Sequence, residues 1–185
     1  MALTEKHIQA LYQKYHVPHN VIQHMIKVAE FAKKIAKKLI KKGYKIDIDL
    51  IEQAALVHDI LRVCDFHELA LSKIKQPITS KDLTTWLALR EKYGKIGHSK
   101  AAANVLTNIG EPALANLVLK HAIYQVENLK TLEEKVLYYA DKRVQNDRVV
   151  SLRKRFKAFR IRNKTSEKKV YELEKEIKFA CKTQA

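Results

Sequence analysis

Val21, Met25, Val28, Ala32, Ile35 and Leu39 recur at helical spacing across residues 21–42, with no glycine or proline among them. A stripe of that length obliges the chain to bury one face of a long helix against other helices. Most of the remaining sequence repeats the pattern. Residues 5–15 place Ile8, Leu11, Tyr12 and Tyr15 on one face; residues 16–20 then break the helix at Pro18, and Asn20 is positioned to cap the long helix. Gly43 ends that helix, and a third begins after Asp47 or Asp49, carrying Ile51, Ala54, Ala55 and His58. Ala54 and Ala55 are small enough to let a neighbouring helix approach closely around His58.

Residues 65–97 read as a wall or lid. Pro77 interrupts them, Thr79 or Ser80 opens a helix through Trp86 and Leu89, and Gly94 with Gly97 marks a loop. Helices resume over residues 98–109 and 112–125, the latter with Pro112 in its first turn. Thr131 and Glu134 have capping-box spacing and open the helix that holds Asp141. A basic helix follows over residues 149–162, then a last one with Val170, Leu173, Ile177 and Cys181 on one stripe, suited to packing or to a homo-oligomeric partner. The expected fold is all-α. Its 185 residues divide into a domain over 1–147 and a basic helical C-terminal extension over 148–185 that packs on or adjoins it.

Charge narrows the ligand class. The net charge is +16, concentrated on the lysines at 33, 34, 37, 38, 41 and 42, and on a run from Arg148 to Lys164 that contains no acid. Such a field favours phosphorylated small molecules, nucleotides and RNA. Cys64 and Cys181 have no motif spacing, and no apolar stretch reaches the roughly 18 residues of a membrane span. With no apolar leader core at the N-terminus, the expectation is a cytoplasmic protein without membrane contact.

The chemistry lies in the buried polar residues. His58 and Asp59 are adjacent in an otherwise apolar run; they converge on one point only where the helix opens and the aspartate turns back inward. His24, His121 and Asp141 also lie among apolar helical residues. A lone histidine at any of these places is an ordinary satisfied core residue. Several ionisable groups buried together need a common partner, and a metal ion is the simplest one. Mixed histidine and aspartate donors suit Mn, Fe, Co, Ni or Zn better than Mg, and the lack of a ligating cysteine suits a catalytic rather than a structural site.

In order and helical context, His24, the His58-Asp59 doublet and Asp141 resemble the signature of the HD-domain metal-dependent phosphohydrolases. The flanks are similar to the HDIG-type subgroup, with Leu61 standing where that pattern has glycine. His98, after Gly97, and His121 resemble the extra pair of a binuclear variant, in which Asp59 bridges two ions. The likeness covers about residues 20–145 and extends to small archaeal and bacterial members. It implies an HD-type helical bundle holding one or two divalent transition-metal ions on His24, His58, Asp59, His98, His121 and Asp141.

His58, Asp59 and Arg62 are then the catalytic candidates, and Arg62, Lys100 and Lys142 the substrate-binding ones. The resemblance implies a metal-activated water attacking a phosphate ester or anhydride, with nucleotides and nucleic-acid ends among the substrates of related folds. The His-His-Glu and Gly-Tyr-Pro elements of cyclic-di-GMP hydrolases are missing, as is a synthetase half. His7, His16, His19 and His67 have no place in this set, and Cys64 reads as packing rather than nucleophile. The alternative is a nucleic-acid-binding protein on a degenerate HD fold, with Phe156 and Phe159 interleaved among Arg153, Lys154, Arg155 and Arg160 to stack on bases.

Overall fold

Three helices open with the same device. Thr4, Thr79 and Thr131 each accept a bond from the backbone N–H three residues on, and His7, Asp82 and Glu134 answer by accepting from the threonine N–H. In the computed structural model, which describes residues 3–66, 74, 76–159 and 164–182, these boxes start α1 (Glu5–Lys14), α4 (Ser80–Tyr93) and α7 (Leu132–Arg143). The other helices are α2 (His19–Ile40), α3 (Ile48–Val57), α5 (His98–Asn108), α6 (Pro112–Lys120), α8 (Leu152–Phe159) and α9 (Lys164–Ala180). Short 3-10 turns cover Arg62–Asp65 and Ile123–Asn128. The fold is all-α, and among the described residues no helix is long and apolar enough to cross a membrane.

Two helix pairs frame the molecule: α2 lies along α3, and α5 along α6. Helix α7 touches α2, α3 and α6, so its residues are shared between the pairs. One core runs through all of them, with Met25, Val28, Leu39, Ile51, Leu106, Leu114 and Tyr138 at 0–1% exposure. Leu152, Phe156, Val170, Leu173 and Ile177 belong to that same core. The stripe on α9 thus packs inside the chain itself, and a homo-oligomer would need another surface.

Several elements depart from the expected ones. Pro18, not Asn20, precedes the long helix: its carbonyl accepts from Val21 and Ile22 at 2.9 and 3.0 Å, and its fixed φ of −60° prepares the turn. Helix α6 stops at Lys120 instead of running to about 125, because the His121 ring donates back to the Val118 carbonyl and Ala122 turns extended. Val149 pairs with Val144 in a two-residue hairpin, Val144–Gln145 against Arg148–Val149, whose turn holds Asn146 at φ 56°. The basic helix accordingly begins later, at Leu152. Residues 80–93 form a helix, with Trp86 buried and its indole N–H on the His16 carbonyl at 2.8 Å.

Candidate metal centre

Helix α3 ends at Val57, and the chain turns through residues 58–61 before the 3-10 turn. That opening lets adjacent side chains face one point. His58 is fully buried and Asp59 nearly so, and His58 Nε2 lies 3.7 Å from Asp59 Oδ2. Leu61, in the place of the subgroup's glycine, has φ −110° and a buried side chain, so the turn needs no left-handed residue there.

His24, His98, His121 and Asp141 are buried around this doublet. Asp141 Oδ1 is 3.0 Å from His24 Nε2 and 3.6 Å from His58 Nε2. Asp59 Oδ1 is 3.1 Å from His98 Nε2 and 3.5 Å from His121 Nε2. The two imidazole nitrogens of His98 and His121 are 3.1 Å apart. The six sequence candidates for ligands therefore meet at one place. Asp59 faces two groups of donors, Oδ2 toward His58 and Oδ1 toward His98 and His121.

Each histidine presents Nε2 inward because Nδ1 is tied behind it. His24 Nδ1 bonds the Asn146 carbonyl at 3.1 Å, His58 Nδ1 the Ala55 carbonyl at 2.8 Å, and His121 Nδ1 the Val118 carbonyl at 2.5 Å. His98 Nδ1 bonds the Asp65 carboxylate, whose other oxygen accepts from the His98 backbone N–H at 3.1 Å. Holding Nδ1–H in this way fixes the tautomer that leaves Nε2 free to ligate.

The arrangement fits metal ions. Donors about 2.1 Å from a shared ion stand about 3.0 Å apart at right angles and about 3.4 Å apart in a tetrahedron, close to the spacings found. Two of the inward atoms, His58 Nε2 and Asp59 Oδ1, are buried without hydrogen-bond geometry to any partner among the described residues. Buried polar atoms are seldom left so, and a cation would satisfy both. The trios His24, His58, Asp141 and His58, Asp59, His121 each offer three ligand atoms within 4.8 Å of one another.

The electrostatics agree. Burial would raise the Asp59 carboxyl, but His58, Arg62 and His98 hold it well below the usual carboxylate range. Asp141 is held down in the same way against burial, first by Lys142, then by His24 and His58. Both carboxylates are thus charged and ready to ligate. His121 is pushed down to about 4, chiefly by burial, and is neutral at physiological pH. His58 and His98 rise above the ordinary imidazole value, because the pull of Asp59 and its neighbours outweighs burial.

Arg62 lies against His98, with Nη1 3.1 Å from both ring nitrogens and 3.6 Å from Asp65. Lys142 is engaged within the centre: its ammonium donates to Asp141 Oδ2 at 2.5 Å and to the His121 carbonyl at 2.8 Å. Lys100 is exposed on the first turn of α5. Asp65 is the participant that sequence reasoning missed; an acid six residues beyond the doublet in apolar sequence was its only signal.

The remaining candidates have structural work. His7 completes the α1 capping box, His16 pairs with Asp82 at 2.6 Å, and the His19 N–H meets Gln76. Cys64 is buried, its thiol pushed up to about 11 by that burial, which suits packing. The lysine face of α2 lines a groove of about 440 Å³ with Glu30 and Glu52, and no centre residue borders it. Phe156 is buried edge-to-face on Tyr171 and is not presented to a base. His67, Arg160 and the Phe159 side chain lie outside the described residues.

Residues 21–145 match the family model of the HD domain. The chain is also 27% identical over 168 residues to an uncharacterized protein of Methanocaldococcus jannaschii, spanning 85% of this chain and 88% of that one. No solved structure matches the chain.

Proposed function

The chain belongs to the HD domain family, and from that premise we propose that it is a divalent-metal-dependent phosphohydrolase cleaving a phosphate ester or anhydride of a nucleotide-like substrate. The family is one of metal-dependent phosphohydrolases, and the His and Asp clusters here are able to hold metal. One observation carries the reading. Four histidines, each anchored through Nδ1, and two charged aspartates turn their donor atoms onto one buried point.

When bound, Mn, Fe, Co, Ni or Zn would lower the pKa of a coordinated water and draw charge from the phosphoryl oxygens. His24, His58, Asp59 and Asp141 would hold a first ion, and His98 and His121, with Asp59 shared, a second. The other groups position and balance charge. Lys142 orients Asp141 and pins the His121 carbonyl. Arg62, about a third exposed along its side chain, is placed to meet phosphate oxygens arriving over His98. Asp65 keeps His98 turned inward. The net charge of +16 favours a nucleotide-like anion as substrate.

The test is elemental analysis of the purified protein together with turnover of nucleoside phosphates and of p-nitrophenyl mono- and diesters. Bound transition metal and chelator-sensitive hydrolysis are expected. Protein that takes up no metal after reconstitution with Mn, Fe, Ni or Zn would overturn the reading.

A further inference from the structure

The basic run after Arg148 has a simple explanation as a solvated helix face, and among its described residues Arg148, Arg153, Lys154 and Lys157 fit that explanation, being exposed. Arg155 is different. Leu152 and Phe156, its neighbours on the inner side of the helix, are at 1% and 4% exposure in the core, and Arg155 is itself half-buried beside them. Helix α8 is also fixed relative to the centre. Its approach is clamped by the Val150 N–H on the Arg143 carbonyl at 2.7 Å and by Arg143 Nε on the Val150 carbonyl at 2.5 Å. Arg143 directly follows Lys142 and Asp141, and the hairpin turn between α7 and α8 gives His24 its Asn146 carbonyl at 3.1 Å.

The charges acting on the Arg155 guanidinium belong to that centre. Burial disfavours its charge; the carboxylates of Asp141 and Asp59 attract it, and Arg62 repels it. An arginine is the cation suited to such a place, because it stays protonated when buried and its planar fork takes two oxygens of one phosphate.

Resting on the hydrolase reading, we infer that Arg155 binds a phosphate group at the metal centre together with Arg62, so that helix α8 is part of the active site. Arg155 then serves the substrate phosphate from the inner side of α8, while Arg153, Lys154 and Lys157 face solvent.

The experiment is calorimetric titration of inorganic phosphate into the full chain loaded with Mn²⁺, comparing wild type, Arg155→Gln, Arg155→Lys and the exposed control Arg153→Gln. Loss of a charged hydrogen-bond pair predicts about tenfold or more weaker phosphate binding in Arg155→Gln, with metal content unchanged. Arg155→Lys keeps the charge without the fork and should fall between, while Arg153→Gln should match wild type. Wild-type affinity in a metal-loaded Arg155→Gln overturns the inference, as does a wild type that binds no phosphate. If the glutamine variant does not fold, Arg155→Lys decides, since equal affinity there denies a fork-dependent contact. The titration reads binding and not turnover. A protein that binds phosphate through Arg155 yet hydrolyses nothing keeps this inference and sinks the hydrolase, and a hydrolase indifferent to Arg155 does the reverse.

Discussion

The two halves of the centre are built differently. His24 and Asp141 come from α2 and α7 and His58 from the first residue past α3; these three helices pack closely on one another, and both histidines are anchored on backbone carbonyls. His98 and His121 come from the α5 and α6 pair, at the start of one helix and just past the end of the other. There, His98 depends on a side chain, Asp65, which is about one-third exposed and comes from a 3-10 turn. A backbone anchor survives any substitution of its residue except proline's geometry; a carboxylate anchor can be removed by one change. The first half is therefore the sturdier, and the second the one through which ion content and chemistry can be tuned.

Asp59 belongs to both halves, so its loss should erase the distinction. Asp59→Ala is expected to strip both ions and to reduce turnover by more than the roughly 10²–10³-fold that follows loss of one transition-state donor. Elemental analysis beside steady-state kinetics reads both effects, and retention of one tightly held ion would show that Asp59 is not shared. His98→Ala asks the sharper question. It should keep the ion on His24, His58 and Asp141, lose the other, and lower turnover about 10²-fold. Loss of both ions together would mean that the halves are a single cooperative site, and the comparison would fail.

The sturdier half is also the more legible. His24, the His58-Asp59 doublet and Asp141 stand out as ionisable residues on apolar helical faces, a pattern with a period that sequence reading detects. What it does not detect is structure made without a period. The turn that brings Asp65 to His98 is four residues of 3-10 helix, and the hairpin that brings the Asn146 carbonyl to His24 has two-residue strands. The end of α6 at Lys120 was hidden for a related reason: a histidine ring closes on its own helix, which no apolar spacing records. Nor does a period record that the Lys142 ammonium donates to Asp141. The stripe on α9 was readable as apolar but not as to what covers it, because a helix face carries the same pattern whether its partner is its own chain or another.

Asp65→Asn tests the anchor itself. The amide keeps the size of the carboxylate but loses its charge, so His98 should turn inward less firmly. Removing such an outer partner commonly lowers metal affinity about 10–100-fold. Isothermal titration with Mn²⁺ should show that loss for the weaker of two binding events and leave the tighter one in place. An equal loss in both events would place Asp65 in the service of the whole centre.

The smallest expected effect is a dependence on pH, and its sign follows from which groups hold protons before metal arrives. His58, in the first half, and His98, in the second, both have raised pKa values, since carboxylate attraction exceeds burial at each. In the metal-free protein they contribute stability below the ordinary imidazole value and lose it as pH rises through their higher folded values. Asp59 and Asp141, held well below the carboxylate range, do not change charge in that window, and His121 at about 4 is already neutral. Metal must displace the protons on His58 and His98, so its affinity should rise with pH by up to about tenfold per unit for each proton displaced. The metal-induced gain in Tm should accordingly grow between about pH 6 and about pH 8. In His98→Ala the contribution of that imidazole is gone, and the slope should fall while keeping its sign. A slope unchanged in that variant would show that metal displaces no proton from His98, and the two halves would then differ in protonation as well as in their anchors.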